Sequence, residues 1–153
     1  YKRIEAIQFT MSHDDGKKTE DVEQSDIILL GVSRTSKTPT SIYLANRGYK
    51  TINIPLVTPD SVPDKLKTKK IKPCVVGLFA DPERLSDIRR NRVAIMNDTN
   101  LPKYTDLESI QKEVEESKRL FKKYDWPTID VTRKSVEETA ASIIKIYDIR
   151  KNK

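Results

Sequence analysis

The segment Gly31-Val32-Ser33-Arg34-Thr35-Ser36-Lys37-Thr38 carries the residue types that a nucleotide phosphate demands. The pattern G-x-x-x-x-G-K-[ST] combines a tight turn, backbone N–H groups aimed inward, a lysine for the terminal phosphates and a hydroxyl for Mg²⁺. Gly31, Lys37 and Thr38 fill three of the four fixed positions, and Ser36 stands where the second glycine usually is. A serine there needs a backbone angle that its Cβ accepts, so a loop of slightly different shape is expected. The chemistry within reach is Mg²⁺-dependent phosphoryl transfer, with the N–H groups of residues 31–38 as the cradle, Lys37 on the transferring and bridging phosphates and Thr38 on Mg²⁺.

A lysine in a polar turn would be the plain alternative, and the flanking elements weigh against it. Ile27, Ile28, Leu29 and Leu30 read as a buried parallel strand. Pro39 suits the first turn of a helix that continues through Ile42, Leu44 and Ala45 and stops near Gly48. Strand, loop and helix then follow in the order that aims a helix N-terminus at an anion.

Further along, residues 2–12 read as a helix ending at His13-Asp14-Asp15-Gly16, and a charged linker covers 17–24. Strands are expected at 50–54, stopping at Pro55, at 74–80 and at 128–131, while the Pro-punctuated stretch 55–73 reads as a loop or short helix. Asp81-Pro82-Glu83 opens a helix with Asp81 as N-cap and Leu85, Ile88 and Val93 as its apolar line. Capping boxes at Thr105–Glu108 and Ser135–Glu138 open two more helices, the first with Leu107, Ile110, Val114 and Phe121 at helical spacing. This alternation predicts an α/β fold: a parallel sheet with flanking helices and right-handed crossovers. Asp81, at the carboxyl end of the third strand, is a candidate to hold Mg²⁺ as well as to cap its helix. The loop from Thr132 to Ser135, at the end of the fourth strand, could touch a nucleotide base or simply cap a helix.

At 153 residues the chain fits one domain of about 100 to 200 residues. Charged residues make up 34% and hydrophobic ones 36%, which suits a globular protein with a heavily charged surface. No run of about 18 apolar residues occurs and no signal segment opens the chain, so a cytoplasmic protein without a membrane partner is expected. The lone Cys74 cannot form an internal disulfide, and one His and one Cys cannot build a zinc site. A net charge of +6 arises from 29 basic and 23 acidic residues that are mostly interspersed. The local excesses, Lys65 to Lys72 and Arg150 to Lys153, contain no interleaved aromatic residue, so no nucleic-acid partner is expected. A basic surface can instead attract phosphorylated or acidic partners.

Gly31 to Pro39, followed by Ser41-Ile-Tyr-Leu-Ala-Asn46 and Gly48-Tyr-Lys50, closely resembles the regulatory proteins of pyruvate, phosphate dikinase and of phosphoenolpyruvate synthase. His13 to Gly16, Val76-Gly-Leu78, Asp81 to Leu85, Ile88-Arg89 with Arg92, Trp126-Pro127, Ile129 to Thr132 and Ser135 to Ala140 are also similar to that family, in order along nearly the whole chain. The family carries an N-terminal domain before this region. Residues 1–16 are then expected to be the end of an interdomain region and 17–153 a P-loop kinase-like nucleotide-binding domain, which fits a chain opening at Tyr1.

The resemblance implies a bifunctional regulator. Such proteins phosphorylate a Thr of the dikinase with ADP as donor, giving AMP, and remove that phosphate with inorganic phosphate, giving pyrophosphate. It makes Asp14 and Asp15 candidates for a base or for metal coordination, where the residues alone read as a helix-terminating polar turn. Arg34, Arg89 and Arg92 become candidates for phosphate or partner recognition, against a solvated face whose alkyl stems cover the core. Lys37, Asp14, Asp15 and Asp81 form the expected catalytic set. Either target enzyme fits these loops, and a homodimer stays among the expectations. A small-molecule kinase of the shikimate or nucleoside-monophosphate type would use the same strand, loop and helix, as would a non-catalytic nucleotide sensor.

Overall fold

A computed structural model describes residues 2–12, 24–32, 35, 37–56, 73–96 and 107–151, with backbone alone for 2, 92–96 and 151. The strands are β1 (Ile27–Gly31), β2 (Thr51–Pro55), β3 (Cys74–Phe79) and β4 (Thr128–Asp130), and the helices α1 (Lys2–Ser12), α2 (Lys37–Asn46), α3 (Pro82–Met96), α4 (Leu107–Lys123) and α5 (Val136–Lys151). The sheet order is β2-β1-β3-β4 and all three pairings are parallel, as the alternation of elements predicts. Described boundaries fall within about two residues of those expected, the largest difference being α2, which ends at Asn46 rather than near Gly48. Residues 13–23, 57–72 and 97–106 lie outside the described residues, and with them the acidic turn at 13–16, most of the Pro-punctuated stretch and Thr105 of the first capping box.

Alternation along each strand divides the core. Ile28 lies opposite Ile52 and Val75, and Leu30 opposite Ile54 and Gly77. These residues pack with Phe121 of α4, and Phe9 of α1 joins the same cluster. Gly77 exists for Phe121: a Cβ there would stand 2.5 Å from the ring. Ile27, Leu29, Val76, Leu78 and Ile129 instead share a cluster with Leu44 of α2 and with Ala140 and Ile143 of α5. β1 is buried at all five positions, which is why its sequence is a continuous apolar run rather than an alternating one.

Pro55, expected to stop β2, is its last residue and lies opposite Gly31. β2 is an edge strand, and the Leu56 N–H donates to the Gly31 carbonyl at 2.9 Å. The neighbouring position 55 therefore turns its nitrogen outward, where a proline loses no ladder bond. The outward N–H of Thr51 donates to Thr10 Oγ1 of α1 at 3.1 Å, so α1 covers part of that edge. Gly48 ends the α2 turn at a φ of 92°, the left-handed conformation that favours glycine after a helix.

Candidate functional site

From β1 the chain crosses to β2 on one side, and β3 pairs on the other. The order thus reverses between β1 and β3, and a ligand crevice belongs at the carboxyl ends of those two strands. The loop after β1 and the Ala80-Asp81 segment after β3 both emerge there.

Gly31, opposite Leu78, closes β1. A Cβ at Gly31 would stand 2.8 Å from the Leu78 carbonyl oxygen and 2.8 Å from Thr35 Oγ1. The glycine therefore lets Thr35 and the end of β3 both approach β1 closely, a reason tied to packing that the motif alone does not state. Thr35 Oγ1 donates to the Val32 carbonyl at 2.9 Å, and Lys37 Nζ donates to the same oxygen at 2.8 Å. Lys37 is only 6% exposed, so its ammonium sits inside the loop rather than in bulk water. A carbonyl is a neutral acceptor, and a phosphate oxygen offered at that place is a stronger one for an ammonium. Thr38, in the first turn of α2, is half-buried. Ser33, Arg34 and Ser36 lie outside the described residues.

Asp81 is exposed, and its carbonyl accepts the first helical bond of α3 from the Leu85 N–H at 3.0 Å, the N-cap position expected for it. Its own N–H donates to Thr132 Oγ1 at 2.8 Å. Thr132 in turn donates its N–H to Asp130 Oδ1 at 3.0 Å, and its hydroxyl donates to that same oxygen. The 132–135 loop thus holds the backbone at Asp81, a connection the sequence reading missed. Its signal was the Asp-x-Thr spacing, a recurrent local turn. At the end of this loop Ser135 Oγ accepts the Glu138 N–H at 3.1 Å, the N-cap half of the expected capping box.

Arg89 is 1% exposed and donates from Nη1 to Glu113 Oε2 at 2.8 Å, bridging α3 and α4. The alkyl-stem-over-core picture thus understates its burial: the whole side chain is enclosed. Glu113 gave no sequence signal beyond lying next to the buried Val114. The side chain of Arg92, and all of His13, Asp14 and Asp15, lie outside the described residues.

Thr38 and Asp81 carry a hydroxyl and a carboxylate, the hard oxygen donors that Mg²⁺ takes. Among the described residues there is no group of three or more His, Cys, Asp or Glu able to hold a metal. Such a donor set fits an ion whose shell is completed by phosphates and water rather than by a protein cage. No helix among the described residues is long and apolar enough to cross a membrane.

A model of the family described as kinase/pyrophosphorylase matches residues 1–144. A protein of Pelagibacter ubique (strain HTCC1062) bearing the name "Putative pyruvate, phosphate dikinase regulatory protein" is 65% identical over 152 residues, covering 99% of this chain and 56% of that protein. A protein of the same name from Bradyrhizobium diazoefficiens is 52% identical over 151 residues, or 98% of this chain and 54% of the relative. The chain therefore spans about half the length of the curated relatives it matches.

Proposed function

The chain belongs to the kinase/pyrophosphorylase family, and on that premise we propose that it carries the nucleotide site of a bifunctional regulator of pyruvate, phosphate dikinase. In the forward direction a Thr hydroxyl of the dikinase attacks the β-phosphorus of ADP. A Thr–O–P bond forms, the bridging P–O bond breaks, AMP leaves, and the hydroxyl proton passes to a carboxylate. In the opposing reaction an oxygen of inorganic phosphate attacks the phosphorus of the phosphothreonine, a P–O–P bond forms, the Thr O–P bond breaks, pyrophosphate leaves and the Thr oxygen takes a proton. Both directions move one phosphoryl group, so one cradle can serve them.

The observation that carries this reading is Lys37, buried in the loop at the β1/β3 reversal with its ammonium on the Val32 carbonyl. The role we give Lys37 is to leave that carbonyl for the phosphates and spread their charge. Backbone N–H groups of residues 31–38 orient the phosphates, and the start of α2 adds the positive end of its dipole. Mg²⁺, held by Thr38 and Asp81, would neutralise developing charge on the phosphate oxygens. We assign the acceptor's proton to Asp14 or Asp15, and recognition of phosphate to Arg34 in the loop.

Transfer of label from β-³²P-ADP to purified dikinase, compared with γ-labelled ATP, tests the reading. Label on a Thr from ADP is the expected result. Transfer only from ATP, or only to a small metabolite, would overturn it in favour of an ordinary P-loop kinase.

A further inference from the structure

Thr132 and Asp130 lie at the carboxyl end of β4, next to that of β3, and the transfer chemistry leaves them without a part. We infer that Thr132, locked by Asp130, is a positioning residue that sets the Asp81 carboxylate for Mg²⁺-nucleotide binding; the inference rests on the reading of Asp81 proposed above.

The hydrogen-bond directions carry the argument. A threonine hydroxyl has one proton to donate and lone pairs to accept. The Thr132 proton goes to Asp130 Oδ1, which also accepts the Thr132 N–H at 3.0 Å. Two donors from one residue on one carboxylate oxygen fix the Thr132 rotamer. The hydroxyl lone pair is thereby turned to the Asp81 N–H, 2.8 Å away and 51 residues distant in sequence. Asp81 precedes Pro82, which already restricts its backbone toward extended conformations. With its N–H tied as well, the point from which the Asp81 side chain departs is held from both sides.

The anchor is itself rigid. Asp130 lies opposite Phe79 in the parallel ladder, and the Val131 N–H donates to the Phe79 carbonyl at 2.8 Å. The end of β4 is thus fixed to the end of β3, two residues before Asp81. A tie that merely satisfied a backbone donor would need no second carboxylate to orient it, and water could serve an exposed N–H equally well. The Asp130–Thr132 arrangement selects one orientation, as partners behind a metal ligand characteristically do.

Thr132→Val keeps the shape and removes both hydroxyl bonds, while Thr132→Ser keeps the hydroxyl. In the purified protein, Mn²⁺ affinity in the presence of ADP is read by water-proton relaxation, alongside exchange of the Asp81 amide and label transfer. The Val variant should weaken Mn²⁺ binding about tenfold, speed Asp81 amide exchange and raise the Mg²⁺ requirement for transfer. The Ser variant should return all three toward the parent, and Asp130→Ala, which removes the acceptor of both bonds, should move them in the same direction as Val. Mn²⁺ affinity unchanged in Thr132→Val but lost in Asp81→Asn would overturn the inference while leaving the Asp81 reading intact. Mn²⁺ affinity and transfer unchanged in Asp81→Asn would overturn both. A thermal-unfolding scan of each variant separates a positioning defect from loss of fold, and Thr132→Ser keeps the test decisive if the Val variant does not fold.

Discussion

Where the strands begin, Asp26 ties three of them together, whereas where they end the polar groups are held by loops at the carboxyl edge. The Asp26 N–H donates to the Lys50 carbonyl at 2.7 Å, its carboxylate accepts the Lys50 N–H at 2.9 Å, and its carbonyl accepts the Cys74 N–H at 3.0 Å. Around it Tyr49 and Tyr147 meet edge to face with centroids 5.3 Å apart, Lys50 pairs with Glu5 at 3.1 Å, and Arg150 donates to the Pro73 carbonyl. The opposite edge holds Lys37 on a backbone carbonyl and Asp81 and Asp130 exposed. Helix polarity deepens the contrast. α2, α3 and α5 are each the element that follows a strand, so their positive ends gather at the carboxyl edge. α4 ends before β4 with Lys122 and Lys123 in its last turn, where basic side chains match the negative end. One edge is therefore electrostatically closed by the protein, and the other gathers the starts of three helices beside a buried lysine.

The strongest way to break this contrast is at Lys37. Lys37→Met keeps the buried stem and removes the charge; transfer of phosphate should fall by at least about a hundredfold with the urea midpoint little changed. A variant of parental activity would end the assignment of the carboxyl edge as the site.

Two glycines separate site from core. Gly31→Ala puts a methyl against the Leu78 carbonyl and Thr35, so stability should fall by about 1–3 kcal/mol and nucleotide binding should fail with it. Gly77→Ala meets the Phe121 ring and should lose a similar amount of stability while the folded fraction still binds nucleotide. Calorimetric nucleotide titration beside denaturant unfolding distinguishes them, and Phe121→Leu should partly rescue Gly77→Ala.

The α3–α4 bridge should give a smaller effect. Glu113→Gln leaves the Arg89 guanidinium enclosed without its carboxylate. Because Glu113 itself is 37% exposed, the expected loss is about 1–2 kcal/mol rather than that of a fully buried pair. An unchanged unfolding midpoint would show the bridge to be energetically idle.

The smallest effect belongs to the strand-start edge and appears in alkali. Burial raises the Cys74 thiol above its ordinary 9.0, against a lowering by Arg150. Burial, then Asp26, Tyr49 and Asp148, raises the Tyr147 phenol above its ordinary 10.0. A group held protonated in the folded state contributes stability that is complete below its unfolded value. That contribution is lost as pH rises through the folded one. The urea midpoint should decline above about pH 9, Cys74→Ala should remove the lower part of the decline and Tyr147→Phe the upper. A flat profile to pH 11 in the parent protein, at the upper end of this window, would contradict the assigned burial effects.

Much of the architecture was readable in one dimension because it rests on local chemistry. The run 27–30 is apolar throughout because both faces of β1 are covered, and Ile110, Val114 and Phe121 recur at helical spacing because one side of α4 is buried. Gly48 and Ser135 mark helix ends through backbone conformation and capping, which neighbours in sequence determine. Arg89 was less legible: the spacing put it at the rim of the apolar stripe, but a partner on α4, 24 residues away, leaves no periodic trace.

The sequence by itself determined that a strand, a loop with the spacing of a phosphate-binding motif and a helix follow in order. Sequence motifs also sufficed to identify the family, because many short segments agree in order. Tertiary structure alone decided that β1 and β3 are neighbours at a reversal of strand order, which brings Asp81 to the same edge as Lys37. It alone tied Thr132 to Asp81 and enclosed Arg89 with Glu113. The physical reason is range: propensity, capping and turn chemistry act over a few residues. Strand order and the meeting of distant polar groups are set when the whole apolar surface is buried together.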